Sequence, residues 1–432
     1  MTELTVLING RLAGRAFADK HGHPEFVYDE AWRNSRDAIP LSLSLPLANK
    51  QHDSDTVAAV LWGFLPDNEH ILQRWASQFH VSPRNPLALL GHVGEDCAGA
   101  AQFVRPERVA DVLDGGPGVV EWLDEASVAE RLRQVRRDAG ATRRQDDVGQ
   151  FSLPGAQPKI ALHRDDGRWG IPQGRTPTTH ILKPPTGAYD GYVENEHFCL
   201  TLARSLRLSV CESAILHFGD EITICVTRYD REYQAGRWWR VHQEDFCQAL
   251  GVMPQQKYQN QRGPSPAQIG EVLHQYSEQP QVDRANFLLV LVFNWLIGGS
   301  DAHAKNYSLL IGAGGSVRLA PFYDISSALP YPEIDRRKLK MAMKVGSHYR
   351  WHEISVRDWL ALGDELGFSE EYTREVLTLV GKSIADFAAM VASRMKQEGV
   401  DHPIIDTLVD SISESSDRCL KMLSASSDAR PG

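Results

Sequence analysis

A chain of 432 residues, 42% hydrophobic and 24% charged, can bury a large core and hold two to three domains or a two-lobed enzyme; it is neither collagenous nor disordered in composition. The formal net charge of −10 argues against coating nucleic acid through bulk charge, although a local basic face can still touch phosphates. Six scattered cysteines (Cys97, Cys199, Cys211, Cys225, Cys247, Cys419), none at a metal-binding spacing, read as reduced and mostly buried.

The first residues, MTELTVLINGRLAG, alternate apolar and polar side chains without the basic start and apolar stretch of a signal peptide, so they are expected to form a first strand. The longest apolar run, Phe287 to Ile297, is too short to span a bilayer, and a cytoplasmic protein without a membrane partner is expected. Up to about residue 135 the pattern predicts short strands with two helical stretches, Val57 to Phe79 and Val128 to Arg137, and a loop or hairpin over Asp111 to Val120. Arg136 to Gln150 has almost no large apolar side chains and reads as a solvated connector, which places a domain boundary there.

Strand-like segments follow: Phe151 to Arg164, RWGIPQG, THILKPP, LSVCESAILHFG, EITICVTRYDR and GRWWRVHQEDF. One helix interrupts them over Glu194 to Leu206, where Phe198, Leu202 and Leu206 recur one turn apart. From Ser265 the chain is expected to be mainly helical, apart from a hairpin-like stretch near Tyr307 to Phe322. Strands with one helix and then a helical bundle make an α+β layout. The last residues, SASSDARPG, are small and polar and are expected to be disordered. The expected domains are 1–148, 149–424 and a tail, 425–432.

The segment NWLIGGSDAHAKNYSLLI, Asn294 to Ile311, runs from an apolar helix into a polar loop carrying Asp301, His303, Lys305 and Asn306. Phosphoryl transfer needs a carboxylate to orient the attacking hydroxyl and accept its proton, and an amide oxygen nearby to hold Mg²⁺. Asp301 and Asn306 stand five residues apart, the kinase spacing, and Lys305 is placed to neutralise charge on the transferred phosphoryl. Asp324, a short strand later in LAPFYDISSA, fits the second metal-binding carboxylate. One isolated loop Asp is more often a cap or solvated; loop, spacing and second acid together point to chemistry.

Lys183, at the end of THILK, is the candidate cation for the nucleotide phosphates, with Glu194 or Glu196 as its partner. FSLPGAQPK, Phe151 to Lys159, matches neither a Gly-rich kinase loop nor a Walker motif, since it holds the single glycine Gly155; Ser152 lies on its edge as an accessible hydroxyl. For adenine the candidate is His242 to Gly251, where Glu244 and Asp245 equally well begin a helix. No zinc motif or Gly-x-Ser-x-Gly elbow is present.

The segments IPLSLSLPL, LWGFLPDNEHI and LLGHVGEDCAGA, followed in order by SLPGAQPK, THILKPP, ENEHF, RYDR, QEDFCQ, SDAHAKN and PFYDIS, resemble the HipA-type persistence toxins over nearly the whole chain. The resemblance implies a two-lobed protein-kinase-like core behind an N-terminal α/β domain that binds a partner, and a serine/threonine-protein kinase using ATP and Mg²⁺. It makes Asp301 the catalytic base, Asn306 and Asp324 the metal ligands and Lys183 a phosphate contact. Glu244 and Phe246 then meet the adenine, with His303 and Tyr323 close by, and Ser152, Gly155, Ala156, Gln157, Lys159 and Lys305 join the ATP-binding residues. It further implies autophosphorylation of Ser152, which expels that loop and silences the enzyme. The implied partners are a HipB-like helix-turn-helix antitoxin, operator DNA through the antitoxin complex, and glutamyl-tRNA synthetase as protein substrate. Pro154 departs from the family loop and restricts Leu153 before it. Two other readings share these features: a catalytically weak co-repressor docked on an antitoxin at operator DNA, motivated by the large N-terminal part, and a small-molecule kinase.

Overall fold

The computed structural model describes residues 3–114, 118–141, 151–185, 187 and 189–428. They form two compact units: Met1–Thr186 with Leu216–Lys257 and Ser308–Val317, and Gly187–Ile215 with Tyr258–Tyr307 and Arg318–Gly432. The first unit takes in the expected domain 1–148 together with the main sheet that follows it, and the expected domain 149–424 is divided between the two units.

In the first unit, β1 (Glu3–Ile8) has the buried alternation that its sequence implies, with Leu4 and Val6 at 0% exposure. It is an inner strand of a four-stranded antiparallel sheet, flanked by β2 (Arg11–Ala18) and β4 (Ala101–Val104), with β3 (Pro24–Tyr28) at the edge. The β1–β2 turn is Asn9-Gly10, both at positive φ, the pairing a two-residue hairpin selects. The stretch expected as one helix from Val57 to Phe79 is two helices, α1 (Ser54–Gly63) and α2 (Glu69–Phe79). Pro66 denies a backbone donor to a continuing helix, and Asn68 starts the second by accepting from the His70 and Ile71 amides. A further helix, α3 (Pro86–Val93), was not expected, although Asn85 caps it and Pro86 opens it. The expected loop at Asp111 begins inside a short helix, Val109–Asp114; residues 115–117 lie outside the described residues.

The second sheet has the order β5-β7-β6-β8-β10-β9, comprising β5 (Val120–Leu123), β6 (Ile160–Asp165), β7 (Arg168–Pro172), β8 (His180–Lys183), β9 (Ser213–Phe218) and β10 (Glu221–Thr227). The helix α4 (Glu125–Arg137) lays Val128, Leu132 and Val135 against Ile160, Leu162, Trp169 and Leu182 of this sheet. Each fully buried aliphatic side chain there contributes about 1.5–3 kcal/mol. Of the connector, 142–150 lies outside the described residues. Phe151 to Lys159, expected within a strand, is a loop, and the strand begins at Ile160. A hairpin, β11 (Arg231–Gln234) and β12 (Arg237–Arg240), leads to β13 (His242–Asp245), which pairs antiparallel with β14 (Ser308–Ile311) beside β15 (Val317–Leu319).

A buried ionic cluster ties the N-terminal sheet region to the rest of this unit. Asp96 receives Arg231 Nη2 and Arg240 Nε, both at 3.0 Å, and the Thr178 hydroxyl at 2.6 Å. Asp230 takes the Gly99 amide at 2.7 Å and pairs with Arg228 at 2.8 Å. Burial alone would raise the Asp96 pKa, but Arg231, Arg240 and Arg228 together hold it well below the usual carboxylate range.

The second unit is helical: α5 (Tyr192–Ser205), α6 (Pro266–Tyr276), α7 (Pro280–Ile297), α8 (Val356–Glu365), α9 (Glu370–Gln397) and α10 (Ile404–Asp428). An unexpected hairpin, Lys340–Val345 with His348–Arg350, joins them. α10 continues through Asp428, so the tail expected to be disordered from residue 425 is helical over its first residues, and 429–432 lie outside the described residues. Among the described residues one helix, α9, is long and apolar enough to cross a membrane; its Val376, Leu377, Val380 and Ile384 recur at helical spacing on a buried face, and it packs along α10. The six cysteines are buried. The expected α+β class, a sheet-rich part and a helical part, is what the chain adopts.

Candidate active site

Helix α7 is buried along most of its C-terminal half and stops at Gly298, whose φ of +65° favours glycine. The chain then enters the polar loop. The His303 amide donates to the Asp301 carbonyl at 2.8 Å and the Asn306 amide to the His303 carbonyl at 2.9 Å, closing a short 3₁₀ turn over Ala304–Asn306. That turn brings residues five apart into contact, since Asn306 Nδ2 donates to the Asp301 carbonyl at 2.9 Å. With the amide nitrogen committed, Oδ1 is the atom available to a cation. The Asp301 carboxylate is exposed, and its Oδ1 accepts the Tyr258 hydroxyl at 2.5 Å.

Asp324 stands at φ +57°, a left-handed conformation costing of order 1 kcal/mol for a residue with a side chain. Its flanks are clamped. Phe322 exchanges backbone hydrogen bonds with Ser209 and Cys211 at 2.8 and 2.9 Å. Three residues beyond Asp324, Ser327 is held from both sides by the Asn195 side chain, with Nδ2 to its carbonyl at 2.8 Å and its amide to Oδ1 at 2.9 Å. The Tyr323 hydroxyl donates to the Lys305 carbonyl at 2.7 Å, binding this segment to the catalytic loop. One pocket is lined by Asn294, Asp301, Asn306, Tyr323 and Asp324 together. His303 and Lys305 are buried in the same loop without lining that pocket; the His303 ring packs edge-on to Tyr258, with centroids 5.1 Å apart.

The pocket offers carboxylate and amide oxygens and no thiolate or imidazole, a donor set suited to a hard cation such as Mg²⁺. Nothing in the run KYQNQRG marked Tyr258 as a partner of Asp301, and sequence reasoning missed it. Glu194 and Glu196 are both buried on α5.

The remaining candidates belong to the first unit. Lys183, 6% exposed, ends β8 opposite Ile224 of β10. Gly155 sits at φ +107°, with Lys159 Nζ 2.6 Å from where a Cβ would lie, and Lys159 donates to the Pro154 carbonyl at 2.8 Å. Ala156 is exposed. Both polar side-chain atoms of Gln157 are buried without a hydrogen-bond partner, beside Trp75. Ser152, expected to be accessible, is at 0% exposure: its hydroxyl donates to the Phe64 carbonyl at 2.6 Å and its amide to the Asp96 carbonyl at 3.0 Å. Glu244 Oε1 accepts the Leu43 amide at 2.8 Å, and Phe246 is completely enclosed in a four-residue helix that Asp245 caps.

A family model for the HipA-like C-terminal domain matches residues 151–388, and one for the HipA N-terminal domain matches residues 4–104. The chain is similar to a putative kinase, Y4mE, of Sinorhizobium fredii, at 34% identity over 95% of this chain and 96% of that protein. It is 27% identical to the serine/threonine-protein kinase toxin HipA of Shewanella oneidensis over 89% of this chain and 87% of that one. A solved HipA chain from Shewanella oneidensis, in a complex with HipB and operator DNA, superposes with a TM-score of 0.83 at 23% identity, covering 99% of this chain and 100% of that one.

Proposed function

Since this chain belongs to the HipA family, we propose that it is an ATP-dependent serine/threonine-protein kinase, the toxin half of a bacterial toxin–antitoxin pair. The observation that carries the reading is the meeting of Asp301, Asn306 and Asp324 in one pocket, with the Asn306 nitrogen tied back to Asp301. Asp301 serves as base, oriented by Tyr258, and takes the proton of the attacking hydroxyl. Asn306 and Asp324 would hold Mg²⁺, which would offset the charge of the transferred phosphoryl. Lys183 and the loop residues Gly155, Ala156, Gln157 and Lys159 receive the phosphates, Glu244 and Phe246 meet the adenine through their backbone, and His303, Lys305 and Tyr323 support the catalytic loop.

Silencing follows phosphorylation of Ser152. The Oγ–phosphorus bond forms, the bond from the γ-phosphorus to its bridging oxygen breaks, ADP leaves and the serine proton passes to Asp301. Glutamyl-tRNA synthetase is the proposed protein substrate, and a HipB-like helix-turn-helix antitoxin on operator DNA the proposed partner. The Shewanella HipA chain that shares this fold was solved in such an assembly, which favours a co-repressor role alongside catalysis. Intact-mass spectrometry tests the kinase: after phosphatase treatment and incubation with Mg²⁺-ATP, wild type gains one phosphate at Ser152 and Asp301→Asn gains none. Identical masses for the two proteins would overturn the reading. Titration of an operator–antitoxin complex that leaves affinity and stoichiometry unchanged would remove the co-repressor role.

A further inference from the structure

The loop Phe151–Lys159 is seated on the turn between α1 and α2, which the N-terminal domain supplies. Ser152 donates to the Phe64 carbonyl at 2.6 Å, Pro66 bridges to Gly155, the Asp67 amide donates to the Gly155 carbonyl at 3.2 Å, and Asn68 Nδ2 donates to the Ala156 carbonyl at 3.1 Å. Lys257 pairs with the Asp67 carboxylate at 3.1 Å from the other side, so the turn is itself braced. The seat meets the loop almost entirely as carbonyl oxygens and amide hydrogens, and at Ser152 it presents an acceptor.

We propose that Phe64–Asn68 is the positioning element of the phosphate-binding loop, with Asn68 its positioning side chain. The inference rests on reading Phe151–Lys159 as the phosphate-binding loop and Ser152 as its modified residue. A serine donating its only hydrogen to Phe64 inside a fully enclosed site has no path to a γ-phosphate, so the loop leaves the seat before it is modified. Afterwards the phosphoserine ester oxygen has no hydrogen to donate, and a group carrying −1.5 to −2 charges faces the Phe64 and Asp96 carbonyls. The N-terminal domain thereby reads the state of Ser152, and whatever engages the α1–α2 turn alters nucleotide affinity.

Asn68 does two jobs with separate atoms, which makes a clean test. Oδ1 caps α2, and Nδ2 holds Ala156. Asn68→Asp keeps the cap and turns the donor into an oxygen facing a carbonyl. Asn85→Asp is the control, since Asn85 caps α3 through the same atom by accepting the Ala88 amide. In full-length Asp301→Asn protein, which keeps the loop unmodified, amide exchange over 152–158 is expected to quicken about tenfold with Asn68→Asp and to stay unchanged with Asn85→Asp. In the active protein, Asn68→Asp is expected to speed Ser152 phosphorylation several-fold and raise the KM for ATP. Equal exchange in the two variants overturns the seat, even where Ser152 still gains phosphate. Faster exchange confined to Asn68→Asp, with no phosphate on Ser152 in any protein, upholds the seat and overturns the modification.

Discussion

Tyr258 donates its phenolic hydrogen to Asp301 Oδ1 at 2.5 Å, fixing the orientation of the carboxylate assigned as base. A hydrogen bond to a charged group is worth about 1.5–3 kcal/mol, roughly ten- to a hundredfold in rate when it operates in the transition state. Tyr258→Phe should therefore lower kcat by at least about tenfold while the KM for ATP stays within about twofold. A KM change with kcat intact would move Tyr258 from orienting Asp301 to binding nucleotide.

Asp324 combines charge with a left-handed backbone, and two substitutions separate them. Asparagine adopts φ near +57° readily, so Asp324→Asn should keep stability within about 0.5 kcal/mol and lose about a hundredfold or more in Mg²⁺-dependent phosphate incorporation. Asp324→Val should lose activity and also about 1–2 kcal/mol of stability, because a β-branched side chain does not fit that conformation. Urea melts beside a radiolabel assay read both quantities; Asp324→Asn with wild-type activity would remove the metal-ligand role.

The meeting of Asp301, Asn306 and Asp324 was legible because these residues lie close in sequence. A 3₁₀ turn turns the Asp301–Asn306 spacing into contact, and the apolar strand between Asn306 and Asp324 announces the return of the chain. The seat of the phosphate loop was not legible. Phe64 and Ser152 are 88 residues apart, and their bond runs through a backbone carbonyl, which carries no residue-type signature. The split of the expected helix at Pro66 was readable from Pro66 and the Asn68 cap. Sequence segmentation also hid how closely the N-terminal part joins the sheet that follows it, because Asp96 meets Arg231 and Arg240 only through the tertiary fold.

That cluster has a stability consequence. Removing the Asp96 carboxylate leaves two buried guanidiniums without their shared partner, and Asp96→Ala is expected to cost about 3–5 kcal/mol, read from the urea midpoint. For the same reason a chain beginning at residue 149 should fail to give a cooperative melt, since it loses Asp96 and the Gly99 amide that Asp230 accepts. A stable, cooperatively melting product would show the cluster to be dispensable.

Glu244 gives the pH dependence its sign. Burial raises its pKa from 4.5 to about 8, with the Asp245 charge adding to the rise, against the Ser42 hydroxyl and the Leu43 amide, which favour the charged form. The folded protein then holds a proton on Glu244 that the unfolded chain has released, so its contribution is fully present below pH 4.5 and is lost as pH rises towards 8. Glu244→Gln mimics the neutral acid and has nothing to release. Wild type should therefore lose on the order of a few kcal/mol relative to Glu244→Gln between pH 5 and about 8, with the two Tm curves converging at the acid end. Parallel curves across that range would mean that Glu244 is ionised in the folded protein.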